Sequence, residues 1–262
     1  MKYLFFSVLI IGILWQEVSQ ARLTVFKGDR VQHNEYPFMA LLKGENSICT
    51  GSLVGTYLVL TAGHCVCSQD PMIGAIFGHD SASSGGTGFM FKNTYIPREY
   101  DDLCVRRNTD PGFDTVSAAD VAIASLEGEP MTLSVIGIIR VELNKFPGIG
   151  THVITIGYGC DESVSEASLK AKVLKVGHVS ITECPPSPDS YLQPICIRRS
   201  ARNIQLVDRG DSGGPLLQLD KITAIAVVSG GYQDGVHFYT VFARLAAFKD
   251  FLEDFLEDFL NE

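Results

Sequence analysis

Apolar residues in this chain fall in short or alternating runs, as in PFMALL at 37–42, TYLVL at 56–60, HVITI at 152–156, KITAIAVV at 221–228 and HFYTVF at 237–242. Gly, Pro, Asn and Asp interrupt them, and many short strands with frequent turns predict an all-β sandwich or barrel rather than alternating strands and helices. Residues 68–114 differ, being rich in Gly, Ser, Asp and Arg, and are expected to form long surface loops. At the end of the chain the period changes. Phe248, Phe251, Leu252, Phe255, Leu256, Phe259 and Leu260 follow helical spacing, and Asp250, Glu253, Asp254, Glu257 and Asp258 fill the other positions. This predicts an amphipathic helix over about 244–260 with an acidic face. Such a helix either docks on the barrel or, since FLED nearly repeats, binds a partner. Its acidic face disfavours a membrane surface.

The beginning of the chain carries a different signal. Lys2 precedes an apolar run at residues 4–14, and Ser19 and Ala21 suit the small-residue positions of a signal peptidase site. Residues 1–21 are therefore expected to be a signal peptide, with 22–24 as a short propeptide and a secreted, extracellular mature chain from residue 25. The run is too short to span a bilayer, so no membrane association is expected after its removal. A net charge of −9 argues against a nucleic-acid partner.

Seven cysteines follow: Cys49, Cys65, Cys67, Cys104, Cys160, Cys184 and Cys196. In an oxidising compartment they suggest disulfides, with an odd thiol left over. Their spacing lacks a second Cys/His pair suited to zinc, so no metal is expected, and nothing in the sequence calls for a cofactor.

Three strings carry chemistry. GDSGGPL at 210–216 sets Ser212 among glycines whose backbone freedom lets amide N–H groups converge where an oxyanion would form. Taken alone it also fits an ordinary Gly-rich turn. TAGHC at 61–65 follows an apolar strand and puts His64 at its end, beside Cys65. AADVAIASL at 118–126 puts Asp120 at the head of an apolar run, where a carboxylate can be buried against an imidazole. Asp110 and Asp114 are alternatives in principle, but they sit in a Gly/Pro-flanked stretch with no core strand after them.

In these motifs and in their order His, Asp, Ser, the chain resembles the trypsin/chymotrypsin-like serine protease family from about residue 25 to about residue 252. The resemblance implies two packed six-stranded antiparallel β-barrels, the first over about 25–133 and the second over about 134–243, with a C-terminal α-helix and the active site between the barrels. It implies Ser212 as nucleophile, His64 as general base, Asp120 as the group that fixes the imidazole tautomer, and the N–H groups of Gly210 and Ser212 as oxyanion hole. Asp211 would receive the α-amino group freed at Val25. Ser229, Gly230 and Gly231 would pair with the backbone of a protein or peptide substrate. Cys49 with Cys65 and Cys184 with Cys196 match family bridges, and Cys67 with Cys104 is expected as an additional one.

The chain also departs from the family pattern. Thr24, not Arg or Lys, precedes Val25, and Leu206 stands where a trypsin-type enzyme carries aspartate at the floor of the specificity pocket. An apolar floor disfavours a basic substrate side chain, because a buried cation left unpaired costs several kcal/mol. The resemblance thus implies a secreted endopeptidase with an uncharged or apolar primary preference. The alternative is a catalytically weak homologue acting as a binding or decoy module. An α/β-hydrolase is disfavoured, since GDSGG lacks Gly-x-Ser-x-Gly spacing and the histidine comes first.

Overall fold

The computed structural model describes residues 28–32, 34–78, 85–109, 116–127, 136–159, 173–200 and 207–260, without the side chains of residues 107, 188, 189 and 257–260. Six strands close into a barrel: β2 (Met39–Lys43), β3 (Ile48–Leu53), β4 (Leu58–Thr61), β5 (Gly74–Phe77), β6 (Thr87–Tyr95) and β7 (Ala122–Leu126), in the order β2-β3-β4-β7-β6-β5. Every residue of β4 and of β7 is buried, as suits their largely apolar sequences, with Thr61 and Ser125 as the polar members.

The second sheet has eight strands. Six of them run in the order β10 (Lys175–Ser180), β9 (His152–Gly157), β12 (Pro215–Leu217), β13 (Thr223–Gln233), β14 (Phe238–Arg244) and β11 (Ile195–Arg198). The two-residue strands β1 (Asp29–Arg30) and β8 (Arg140–Val141) add to β10 and β13, so the segment that precedes the first barrel in the chain pairs with the second sheet. A bridge between Thr182, just past β10, and Cys196 of β11 brings the two ends of the six-strand path together. Val153, Val179, Leu216, Val228 and Phe242 are among the residues of its own apolar core.

Helices are few. α1 (Gly63–Val66) follows β4, α2 (Asp101–Thr109) follows β6, and α3 (Lys249–Leu260) ends the chain after a short 3-10 turn at Leu245–Phe248. Leu252 and Leu256 of α3 are buried in the larger core cluster with residues of the first barrel. The Phe255 ring packs at a tilt against Tyr95 of β6, with centroids 4.8 Å apart, so the apolar side of the helix docks on the barrel.

Residues 68–114 require a correction, because they hold β5, β6 and α2 as well as loops. β5 is four residues, too short to show a period, and β6 is mostly exposed, so neither carries a clean alternation. Their strand character comes from pairing with β2 and β7.

Candidate active site

Strand pairing brings His64 and Asp120 together. β4 and β7 are antiparallel neighbours in the register Thr61↔Ala122, so the residues just after Thr61 meet those just before Ala122. His64 lies in α1, a single turn whose first residue, Gly63, has no room for a side chain: a Cβ there would press on the Tyr100 ring at 2.8 Å. Asp120 is buried and accepts three hydrogen bonds. His64 Nδ1 lies 2.7 Å from its Oδ2, the His64 backbone N–H donates to Oδ1 at 2.8 Å, and Ser229 Oγ donates to Oδ2 at 2.8 Å. Burial opposes the charge on this carboxylate, but the attraction of His64 and these hydrogen bonds outweigh it and hold the group below the usual carboxylate range. The histidine side chain keeps 18% exposure against 1% for the aspartate, so its outer edge opens on the cleft.

Ser212 reaches the same place from the second sheet, three residues before β12. Gly213 takes φ +79°, and a Cβ on it would collide with Thr61 and Thr50, so the turn passes directly against the end of β4. Cys65 Sγ marks the junction, lying 3.8 Å from His64 Nε2 and 3.7 Å from Ser212 O. Within the turn the N–H groups of Asp211, Gly213 and Gly214 donate to Asp208 O, Val228 O and Asp211 O. Those of Gly210 and Ser212 donate to nothing among the described residues, and Gly210 is at φ +97°.

Thr50 joins the barrel to the second sheet here, and nothing in the sequence singles it out beyond its place next to Cys49. Its N–H donates to Ser212 O at 2.8 Å and its Oγ1 to Gly210 O at 2.7 Å, while Tyr158 N–H donates to Oγ1 at 3.0 Å. The bond from Ser229 to Asp120 was equally invisible, since it spans 109 positions.

Ser229, Gly230 and Gly231 lie in β13, which β14 pairs along one side as far as Gln233. On the other side β12 pairs β13 only over Ala224–Val227, so among the described strands the edge beyond Val228 is open. Beside it lies an apolar cavity of about 400 Å³ whose walls include Val116, Pro185, Pro186, Pro194, Gly231 and Tyr232.

Three disulfides join Cys49 to Cys65, Cys67 to Cys104 and Cys184 to Cys196. The first two tie down the C-terminal half of α1 and the residue after it. The sulfurs of Cys49 and Cys65 and a His64 nitrogen lie within 4.8 Å of one another, yet sulfurs committed to a disulfide do not form a thiolate ligand set. The buried carboxylate of Asp211 accepts from Gly159 N–H at 2.7 Å and from Asp208 N–H at 2.8 Å. Val25, Leu206, Cys160, Asp110 and Asp114 lie outside the described residues.

A six-stranded barrel beside a second sheet, with an imidazole and a buried carboxylate from one facing a glycine-rich serine turn from the other, defines the fold class of chymotrypsin-like proteins. The family profile described as Trypsin matches residues 25–252, and the chain belongs to that family. It is 37% identical over 209 residues to the cercarial protease of Schistosoma mansoni, covering 78% of each chain. It is 27% identical over 246 residues to trypsin 5G1 of Aedes aegypti, covering 91% of this chain and 87% of that one. Among solved structures, neuropsin from mouse brain superposes with a TM-score of 0.64 at 19% identity, covering 88% of this chain and 99% of that one. A scabies mite inactivated protease paralogue gives 0.65 at 18% over the same shares. Among the described residues, no helix is long and apolar enough to cross a membrane.

Proposed function

We propose that this protein is a secreted serine endopeptidase that cleaves peptide bonds after uncharged or apolar residues. The observation that carries the proposal is the buried Asp120 carboxylate 2.7 Å from His64 Nδ1, at the point where Cys65 touches both His64 and the Ser212 turn. With Nδ1–H donated to Asp120, the imidazole holds its lone pair at Nε2 and can take the Ser212 hydroxyl proton as Oγ adds to the scissile carbonyl. The carbonyl oxygen, now an anion, accepts from the N–H groups of Gly210 and Ser212. His64 then gives its proton to the leaving amine as the C–N bond breaks, and water reverses the sequence to release the acid and restore Ser212. Each oxyanion donor contributes on the order of a hundred- to a thousandfold in rate.

The open edge at Ser229, Gly230 and Gly231 suits an extended substrate backbone. The apolar cavity beside it and the leucine at position 206 favour uncharged side chains over Arg or Lys. Residues 1–21 act as the secretory signal in this reading. The test is labelling of the secreted chain by a fluorophosphonate, followed by peptide-library cleavage. Labelling confined to Ser212, abolished in Ser212→Ala and accompanied by cleavage after apolar residues, is expected. Absence of labelling would leave a protein that binds through the cleft without hydrolysis.

A further inference from the structure

On the side of the second sheet away from its own core, β9 and β10 bring two histidines together. The strands are antiparallel, with His152 opposite Ser180 and Ile154 opposite His178. Side chains alternate between the faces of a strand, so His152, Ser180 and His178 share one face, with the histidines at diagonal positions of neighbouring strands. The next residue along each strand, Val153 or Val179, is buried in the sheet's own core, which turns both histidines outward. Both are exposed, and they border a groove of about 710 Å³ together with Gly150, Ser180, Ser200 and Leu219.

Diagonal partners of this kind stand about 7 Å apart at Cβ. Two imidazoles can close that distance on one ion, each nitrogen binding at about 2.0–2.1 Å. His152 is already fixed for the task, because its Nδ1 lies 2.9 Å from Ser180 Oγ. With Nδ1–H donated to that hydroxyl, the lone pair sits at Nε2, and a histidine that binds a metal usually has its other nitrogen tied in this way. We propose that His152 and His178 form a binding site for one divalent transition-metal ion of the zinc and copper class, which links β9 to β10. Imidazole nitrogens suit these ions, whereas calcium and magnesium take oxygen ligands. Water fills the remaining positions of the ion. Spacing along the chain gave no hint of a metal, because the pair forms only when the two strands do. An ion held by both strands binds the folded chain in preference to the unfolded one and so stabilises it.

The test uses the untagged full-length chain carrying Ser212→Ala, so that self-cleavage is removed and the result does not depend on peptidase activity. Zinc chloride is titrated by calorimetry, and thermal melts are recorded with and without the ion. Zinc is expected to bind and to raise the melting temperature, and calcium is expected to do neither. His152→Gln and His178→Gln should each weaken binding by about tenfold or more, and the double variant should lose both the site and the thermal shift. His237→Gln, at an exposed imidazole on the β13–β14 hairpin, should leave both unchanged. Absence of zinc binding, or a titration unchanged in the double variant, overturns the proposal. Should the histidine variants not fold, diethyl pyrocarbonate modification mapped by mass spectrometry decides. Zinc should protect residues 152 and 178 together, and protection of neither or of only one overturns the site.

Discussion

Asp120 is buried and nevertheless held ionised, and the balance behind that sets what its replacement must do. Desolvation pushes its pKa up, while His64 and the donors on both oxygens push it down further. A depressed folded-state pKa contributes stability that is present above the unfolded aspartate value of about 3.9 and is lost as pH falls through the folded value. The stability that the Asp120 charge contributes is therefore lost in acid, below about pH 4. Asp120→Asn keeps the volume but turns an acceptor-only group into one that also donates, so the imidazole loses the partner that fixes its tautomer. We expect kcat to fall on the order of ten-thousandfold, as in this family's triads generally, with the fold retained. Steady-state kinetics beside a thermal melt check it, and a variant within tenfold of wild type would rule out the assigned role.

At the scale of elements, α1 is a single turn of four residues and has no stability of its own. It is held by the disulfide of Cys65 within the turn, by that of Cys67 just past its end, and by the His64 N–H on Asp120. Cys67 and Cys104 are 37 positions apart and tie the end of α1 to α2, whereas Cys184 and Cys196 are 12 apart beside the second sheet. Loop-closure entropy puts the first near 4 kcal/mol and the second near 3 kcal/mol. Cys67→Ser with Cys104→Ser should accordingly lower the melting temperature more than Cys184→Ser with Cys196→Ser, and it alone should slow Ser212 labelling, because it loosens the turn that carries His64. Equal effects of the two pairs on labelling would contradict this. The same elements show what the sequence could reveal. His64, Asp120 and Ser212 each sit in a short string beside a buried strand, and the strand patterns were plain enough to place them. β6 and α2 were not legible, since a mostly exposed strand and a helix with a weak apolar face carry no strong period. Thr50 and the Ser229 hydroxyl were hidden for a different reason: their roles exist only once distant strands have paired.

At the scale of the whole molecule, a helix that follows the second sheet packs on the first barrel. The 3.6-residue spacing of phenylalanine and leucine made the helix readable, but its docking place was not, because an apolar stripe does not name its partner. Leu252 and Leu256 are 0% and 2% exposed in the larger core cluster, which also contains Val59, Tyr100 and Val227. Phe251 and Phe255 pack edge to face at 5.4 Å, and Phe255 reaches Tyr95 of β6. The acidic residues on the other face repel one another at helical spacing, so burial of the apolar stripe must supply the helix with its stability. Truncating either buried leucine to alanine leaves a cavity at the contact and should cost about 2–5 kcal/mol each. Asp254→Asn on the exposed side should change stability by no more than about 0.5 kcal/mol. Because the strand β6 beneath Phe255 pairs with β7, which begins two residues after Asp120, loss of the helix should also be felt at the active site. Chemical denaturation of Leu252→Ala, Leu256→Ala and Asp254→Asn, each followed by intrinsic fluorescence and by fluorophosphonate labelling, separates these expectations. If the leucine variants unfold with wild-type midpoints, the helix is an appendage and the two sheets stand without it.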